Sequence, residues 1–204
     1  MIQFKKVKYT YFNKFYTLFD FSYNFDNGNY VLIGDNDTGP LTVIRLLAKL
    51  DTYYKGEILI NGQSIKKINY KKDYNVAYIS ANPSFFNNKS VLHNICYPLK
   101  SRGIKKQERI NIALVTLANW GWKDKAHIKV KHLNKTDLIM LALIRASVRK
   151  LDLLLCEDIF NTLPTGIIDK IPATTKIVVS NNNNNFDNYT PLIFGLGNLE
   201  INKK

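Results

Sequence analysis

One segment constrains the fold more than any other, because it joins a short apolar run to a glycine-bounded loop and then to a helical pattern. The run covers residues 30–33, and the loop follows at once at 34–39. After the loop, apolar side chains recur at helical spacing, at Val43, Ile44, Leu46, Leu47 and Leu50. A strand, a loop and a helix in this order suit a phosphate-binding loop, because the N–H groups of a helix N-terminus face the loop. We therefore predict an α/β fold built around this loop.

The loop has the frame of a Walker A motif, in which four residues separate a glycine from Gly-Lys-Ser/Thr. In that motif backbone N–H groups curl around phosphates, the lysine neutralises them, and the hydroxyl holds Mg²⁺. Gly34 and Gly39 keep the frame here, but the lysine position is Pro40 and the hydroxyl position is Leu41. Pro40 also removes a backbone N–H donor, although proline is well tolerated in the first turn of a helix. We predict a loop of this shape that no longer holds nucleotide.

Apolar and aromatic patterns elsewhere complete the same fold class. They predict strands at 4–11, 17–25, 56–60, 75–79, 151–156 and 176–180, helices at 91–121 and 134–149, and a closing hairpin around 195–198. The runs at 151–156 and 176–180 are short and uninterrupted, which is typical of central parallel strands buried on both faces. The longer helical stretch has a break near 101–103, where Gly103 lies.

Taken in order, several short motifs resemble the ATP-binding-cassette (ABC) ATPase domain from end to end. They are Phe4, Val7 and Tyr11, the loop at 34–42, Gly56-Glu57-Ile58-Leu59-Ile60-Asn61-Gly62, Ser90-Val91-Leu92-His93-Asn94-Ile95, and Leu153-Leu154-Leu155-Cys156-Glu157. The resemblance implies a P-loop NTPase fold of ABC type in a single domain, 1–204, with an N-terminal antiparallel β region and a helical subdomain at about 82–150. It also implies a transmembrane transporter-like subunit as partner, docked near 81–100, and a homo- or heterodimer with an ABC ATPase.

The resemblance implies a set of nucleotide-binding positions. Tyr11 takes the position of the aromatic that stacks on adenine, and a packed surface aromatic is the alternative. The loop positions that would contact nucleotide fall on Gly34, Asn36, Gly39 and Thr42. ATP with Mg²⁺ is the cofactor that the family implies, and the substitutions at Pro40 and Leu41 predict that it binds weakly or not at all.

The same resemblance implies catalytic positions, most of which are substituted. The metal-orienting aspartate falls on Cys156, and the general-base glutamate survives as Glu157, which we interpret as vestigial. The glutamine that senses Mg²⁺ falls on Ala81, and the switch histidine falls on Asn181. The signature Leu-Ser-Gly-Gly-Gln falls on residues 133–137, which read Leu-Asn-Lys-Thr-Asp.

These losses decide the predicted function. Phosphoryl transfer depends on positioning and on charge stabilisation, and one such electrostatic contact is worth about 3–4 kcal/mol. Each ATP in an ABC dimer lies between the Walker motifs of one subunit and the signature of the other, and this chain lacks both halves. We therefore predict a pseudo-ATPase that acts as scaffold or regulator of a membrane transport-type complex. The alternative is an ATP-binding transport subunit with a non-standard site, in which Lys49 or Lys135 replaces the missing lysine.

Charge and cysteine usage predict where the chain works. The 29 Lys and Arg residues outnumber the 16 Asp and Glu residues, which gives a net charge of +13. The lysines are scattered in pairs, however, as is typical of a solvated surface. Nucleic acid is therefore not the expected partner, and a basic nucleic-acid-binding module remains a further alternative. Two cysteines without metal-ligand spacing indicate a reducing compartment. No apolar run reaches the ~18–20 residues of a membrane span, so we predict a cytoplasmic protein, peripheral on the inner face of the cell membrane.

Overall fold

The computed structural model describes residues 1–11, 15–35, 38–159, 163, 165–181, 186–195 and 198–199. In chain order its elements are β1 Ile2–Tyr11, β2 Phe15–Phe25, β3 Gly28–Ile33, α1 Pro40–Leu47, β4 Lys55–Ile60, β5 Gln63–Ser64, β6 Val76–Ile79, α2 Val91–Lys100, α3 Lys106–Asn119, α4 Lys135–Ser147, β7 Leu151–Cys156, β8 Ala173–Ser180, β9 Thr190–Gly195 and β10 Asn198–Leu199. The chain divides into two compact units. Unit 1 holds Met1–Tyr78, Leu151–Phe160 and Ala173–Lys204, and unit 2 holds Ile79–Lys150 and Asn161–Pro172.

Unit 1 contains an antiparallel sheet with the strand order β2-β1-β4-β5. Phe4 on β1 is 1% exposed and lies opposite Tyr23 on β2 and Ile58 on β4. Aromatic and β-branched side chains favour these strands because they pack well across a pleated surface. The two strands predicted at 4–11 and 17–25 are confirmed, and each begins two residues earlier than the pattern indicated.

The second sheet has the order β10-β9-β3-β8-β7-β6. The strands β9, β3, β8 and β7 run parallel to one another, and β10 returns antiparallel to β9. The apolar runs at 151–156 and 176–180 therefore form central parallel strands, as predicted. The closing hairpin is confirmed by the pairing of Asn198 with Gly195, while its turn residues 196–197 lie outside the described part.

Both sheets of unit 1 share one apolar core with α1. The helix contributes Val43, Ile44, Leu46 and Leu47, all at most 1% exposed. Leu50, which the helical spacing assigned to the same face, is a wrong prediction. The helix ends at Leu47, Lys49 adopts a φ of 57°, and Leu50 is 53% exposed beyond that turn. A left-handed residue ends a helix by turning the chain away from its axis, so the spacing alone could not place Leu50.

Unit 2 is helical, with α2, α3 and α4 packed around a second apolar core. The members of that core include Val91, Ile95, Leu99, Ala113, Leu117, Leu141 and Ile144. The predicted break near 101–103 is confirmed, because α2 ends at Lys100 and Gly103 adopts a φ of 80°. Short 3₁₀ turns lie at Lys123–Lys125, Val130–His132 and Thr165–Lys170.

Asn94 fixes the segment before α2 from a fully buried position. Its Oδ1 accepts from the Phe86 N–H at 2.9 Å, and its Nδ2 donates to the carbonyls of Phe86 at 3.2 Å and Ser90 at 2.9 Å. We expect Asn94→Ala to lower the free energy of unfolding by about 2–3 kcal/mol, because it leaves buried backbone groups unpaired. Urea unfolding of this variant beside Lys100→Ala, an exposed change on the same helix, measures the difference. Equal stability of the two variants would contradict the role of Asn94.

Candidate functional site

The glycine-bounded loop lies at the N-terminus of α1, as the sequence predicted. Gly39 occupies the helix N-cap with a φ of 111°, and Pro40 is the first helical residue. Thr38 closes the loop from inside: its N–H and its hydroxyl both donate to the Asp35 carbonyl, at 3.0 and 2.8 Å. Of the predicted nucleotide contacts, Asn36 lies outside the described residues. The structure brings Gly34 and Gly39 together in this one loop.

Both glycines are required by contacts within the chain itself. A Cβ on Gly34 would lie 2.4 Å from Thr38 Oγ1 and 3.1 Å from the Phe194 carbonyl oxygen. A Cβ on Gly39 would lie 2.5 Å from the Thr17 carbonyl oxygen and 2.8 Å from Leu18 Cδ2. A side chain at Gly39 would collide with the β2 backbone, and one at Gly34 would displace the Thr38 hydroxyl and press on β9, so packing within the chain accounts for both glycines without a ligand.

The residues at the start of α1 do not fit a magnesium-bound triphosphate. Pro40 is buried and has no N–H, and Leu41 offers a hydrocarbon where a metal ligand is needed. Thr42, the remaining hydroxyl of the motif, is 1% exposed. A phosphate approaching these three positions meets neither a cation nor an accessible hydroxyl, so we derive no reaction step through ATP at this site.

Lys49 does not replace the missing lysine. It lies past the end of α1, and the two ends of that helix, Pro40 and Leu47, are already about 10 Å apart along its axis at 1.5 Å per residue. Its ammonium donates to the Ile68 carbonyl at 2.5 Å and lies 4.6 Å from the centre of the Tyr70 ring. The other candidate, Lys135, is an exposed residue of unit 2 at the first position of α4.

Two positions at the end of β7 are acidic in the ABC family, and the residues found there, Cys156 and Glu157, have different environments. Cys156, at the metal position, is fully buried, and burial together with the nearby Glu157 and Asp158 charges raises the pKa of its thiol well above the usual value. Glu157, at the general-base position, is half-buried and accepts a hydrogen bond from the Tyr78 hydroxyl of β6. One carboxylate oxygen of Glu157 is therefore occupied by a protein donor.

Tyr78 holds its proton strongly, and this predicts a pH dependence. Burial and the Glu157 hydrogen bond raise the pKa of Tyr78 far above 10. A raised pKa in the folded state stabilises the fold below pH ~10, and the contribution is lost as pH rises further. We expect Tyr78→Phe to cost about 1–2 kcal/mol of unfolding free energy at pH 7. Above pH ~10 the difference from the parent protein should shrink.

Denaturant unfolding at pH 7 and at pH ~10.5 measures this difference, with Tyr53→Phe as the control. Tyr53 is 92% exposed, so removing its hydroxyl should change the stability at neither pH. A Tyr78→Phe variant as stable as the Tyr53→Phe control at pH 7 would show that the hydrogen bond to Glu157 contributes nothing.

Tyr11, the predicted adenine-stacking residue, belongs to a polar cluster with α1. Its ring packs edge-on against Tyr9, with the ring centres 4.8 Å apart, and its hydroxyl lies 3.5 Å from Asp51 Oδ2. Asp51 in turn pairs with Arg45 through two hydrogen bonds, at 2.8 and 3.3 Å. These contacts account for Tyr11 as a packed aromatic, and its role toward adenine stays a prediction.

In unit 2 the signature positions form a helix cap. Asn134 Oδ1 accepts from the Asp137 N–H at 2.8 Å, and Asp137 pairs with Lys125 at 2.6 Å. The sequence identified Asp137 only as the last of the signature positions and gave no indication of Lys125. The Asn-x-x-Asp spacing ahead of an apolar helix was the available signal, because it is close to a capping box. Asn181, at the switch position, is exposed directly after β8.

Comparison with known proteins identifies the family of this chain. The family model described as ABC transporter matches residues 18–161, which is more than half of the chain. The chain belongs to the ABC transporter family. The predicted ABC-type P-loop fold is also confirmed, since an ATP-binding cassette solved as a dimer in a post-hydrolysis state with ADP and Pi superimposes with a TM-score of 0.83. That likeness covers 98% of this chain and 97% of the other, at 19% identity.

Several similar curated proteins are named as import ATP-binding proteins. The methionine import ATP-binding protein MetN of Clostridium acetobutylicum is 29% identical over 187 residues, 88% of this chain and 55% of the relative. The same protein of Clostridioides difficile is 28% identical, again over 88% of this chain. The chain thus spans about half the length of these relatives. A structure of cbiO1 from Clostridium perfringens, part of the ABC transporter complex cbiONQ, aligns with a TM-score of 0.77 at 14% identity.

The described residues contain neither a membrane-spanning helix nor a cluster of metal ligands. None of the helices there is long and apolar enough to cross a membrane. No group of three or more His, Cys, Asp or Glu side chains in the same residues is arranged to hold a metal ion.

Proposed function

We propose that this ABC family member is a pseudo-ATPase, acting as a scaffold or regulatory subunit of a membrane transport-type complex. The observation that carries the proposal is the contrast within one loop. Packing against β2 and β9 keeps the glycines and the helix start, while Pro40, Leu41 and the buried Cys156 stand at the phosphate and metal positions. The loop keeps its conformation through contacts within the protein, but it offers a nucleotide neither a cation nor a metal ligand.

The size of the catalytic deficit supports this proposal. Losing one preorganised electrostatic contact lowers kcat by about 10²–10³-fold, and the lysine, metal hydroxyl and metal carboxylate are all replaced. The remaining Glu157 has one oxygen engaged by Tyr78. In a dimer the partner's nucleotide would meet the capped Asn134 segment instead of a glycine signature, so this chain weakens both sites to which it contributes.

The proposed partner is a transmembrane subunit, and an exposed aromatic surface on unit 2 supports this part. Phe86 and Tyr97 are 46% and 48% exposed, with their ring centres 4.8 Å apart, and His93 packs edge-on against Phe86 at 6.0 Å. An amphipathic helix fits such a surface by placing apolar anchors on the rings. The importer names of the relatives favour the same partner class, a dimer with an ABC ATPase, and a place on the cytoplasmic face of the membrane.

The nucleotide part of the proposal is tested by titration calorimetry and phosphate release with ATP and Mg²⁺. We expect no heat of saturable binding at millimolar ATP, and phosphate release no faster than that of the Glu157→Gln variant. Tight ATP–Mg²⁺ binding with hydrolysis that is lost in Glu157→Gln would overturn the pseudo-ATPase proposal and favour the ATP-binding alternative.

The partner part is tested separately by membrane flotation from the producing cells. We expect the chain to float with membranes, and a Phe86→Ser/Tyr97→Ser double variant to remain in the unbound fraction. Val115→Ser is the matched control, because Val115 is 60% exposed on α3 of the same unit. Equal flotation of both variants would show that the aromatic surface is not part of the partner interface.

A further inference from the structure

Two open grooves on unit 1 flank an aromatic pair in the segment between α1 and β4. Their volumes are about 420 and 440 Å³, and both are lined by Thr52, Tyr53, Tyr54 and Lys66. The first groove continues along β1 past Tyr9, and the second continues toward the end of α1. The two grooves share these four residues, so both adjoin Tyr53 and Tyr54, and we refer to the two grooves together as the path.

Lysines dominate the charge of this path. Lys8 and Lys55 line the first groove, Lys49 lines the second, and Lys66 lines both. The acidic lining residue Asp51 is already paired with Arg45 at 2.8 Å. Lys8 is balanced by Asp20 at 3.2 Å, which leaves Lys55 and Lys66 as the exposed cations nearest the aromatic pair.

The two rings of the aromatic pair differ, because Tyr54 contacts a lysine and Tyr53 faces solvent. Lys66 lies over the Tyr54 ring, 4.7 Å from its centre, which holds both side chains at the junction of the grooves. Tyr53 is 92% exposed, far more than the other exposed apolar and aromatic residues of the described chain. A solvent-facing ring beside lysines is the arrangement with which proteins stack a base and neutralise its phosphates.

We propose that this path binds a segment of single-stranded nucleic acid, with one base stacked on Tyr53 and the flanking phosphates on Lys55 and Lys66. A strand fits better than a lone nucleotide, because two open grooves adjoin the aromatic pair and lysines line both of them. Enclosed pockets that bury most of their surface suit small molecules instead. The scattered lysine pairs of the sequence gave no indication of this site, because β1, α1 and residues 52–66 meet there only in the folded chain.

Fluorescence anisotropy with a labelled oligothymidylate of about twelve nucleotides tests the proposal on the full chain. We expect saturable binding that Tyr53→Ala weakens at least fivefold, since a stacked base contributes that much or more. The Lys55→Ala/Lys66→Ala variant should reduce the slope of log K against log salt by about 1.4, the value for two phosphate contacts on a single strand. The controls are Tyr97→Ala and Lys105→Ala/Lys106→Ala, which remove an exposed ring and two exposed lysines from unit 2.

Each of the following outcomes would overturn the proposal of a single-stranded nucleic-acid site. Absence of binding, or equal weakening by the groove and control variants, would mean diffuse attraction to a basic surface only. Thymidine monophosphate binding as tightly as the oligonucleotide would identify a small-molecule site, and equal binding of a duplex would exclude base stacking. Circular dichroism of every variant separates lost binding from lost folding. None of these outcomes depends on ATP, so the pseudo-ATPase proposal stands or falls separately.

Discussion

Gly39→Ala is expected to lower the free energy of unfolding by about 3–4 kcal/mol, among the largest effects of any single change in the nucleotide loop. Two costs combine. The residue has a φ of 111°, which L side chains rarely adopt, and the new Cβ would lie 2.5 Å from the Thr17 carbonyl oxygen on β2. Since neither the backbone oxygen nor the helix start can move without opening the core, the loop must shift. Urea unfolding without nucleotide measures the loss.

Gly62→Ala is the matched control for this prediction. Gly62 also has a positive φ, of 79°, but a Cβ there meets no heavy atom within 4 Å. It should therefore show the conformational cost alone, about 1 kcal/mol. If Gly39→Ala is no more destabilising than Gly62→Ala, the close approach to Thr17 does not constrain the loop, and the glycine needs another explanation.

Motif glycines can be retained for packing alone. A glycine that survives in a nucleotide loop suggests a retained ligand only if the fold itself would tolerate a side chain there. Here both Gly34 and Gly39 face protein atoms closer than any Cβ allows. Their survival is thus explained by packing, whereas the positions that face a ligand carry Pro40 and Leu41.

The sequence predicted the element order well because each signal was local. Apolar runs marked the parallel strands β7 and β8, and the glycine loop marked the start of α1. It could not predict the arrangement of the two sheets around one core, because that depends on contacts between residues far apart in the chain. The prediction that Leu50 lies on the buried face of α1 was wrong for a local reason. A single left-handed residue, Lys49, turns the chain away before the apolar spacing ends.

In the candidate site as well, local features could be predicted from the sequence and long-range contacts could not. The substituted positions, such as Cys156, could be identified from motif order, but the partners of the surviving ones could not. Tyr78 and Glu157 are 79 residues apart, and nothing in either segment indicates their hydrogen bond. Lys125 and Asp137 are 12 residues apart with a 3₁₀ turn between them, so their ion pair also depends on the fold of unit 2.

Cys156→Asp, which restores the family's metal-orienting carboxylate, is expected to destabilise the protein by about 3–5 kcal/mol at pH 7. The side chain would be fully buried at the end of β7, beside the charges of Glu157 and Asp158. Burial and like charge raise the pKa of a carboxyl group, so the folded-state pKa of the new aspartate would exceed its unfolded value of about 3.9. The penalty is then smallest near pH 4, where the buried carboxyl group is neutral, and grows as pH rises, because the charged form is disfavoured more strongly.

Cys156→Ser separates this charge effect from the loss of the thiol. A neutral hydroxyl of similar size should cost about 1–2 kcal/mol, with no pH dependence between pH 4 and 7. Unfolding of both variants and the parent protein at several pH values, with and without Mg²⁺, gives the comparison. An aspartate variant as stable as the serine variant at pH 7, or rescued by Mg²⁺, would mean that position 156 still accepts a metal-binding carboxylate. One substitution would then have restored part of the catalytic site, and the pseudo-ATPase proposal would lose the buried thiol as support.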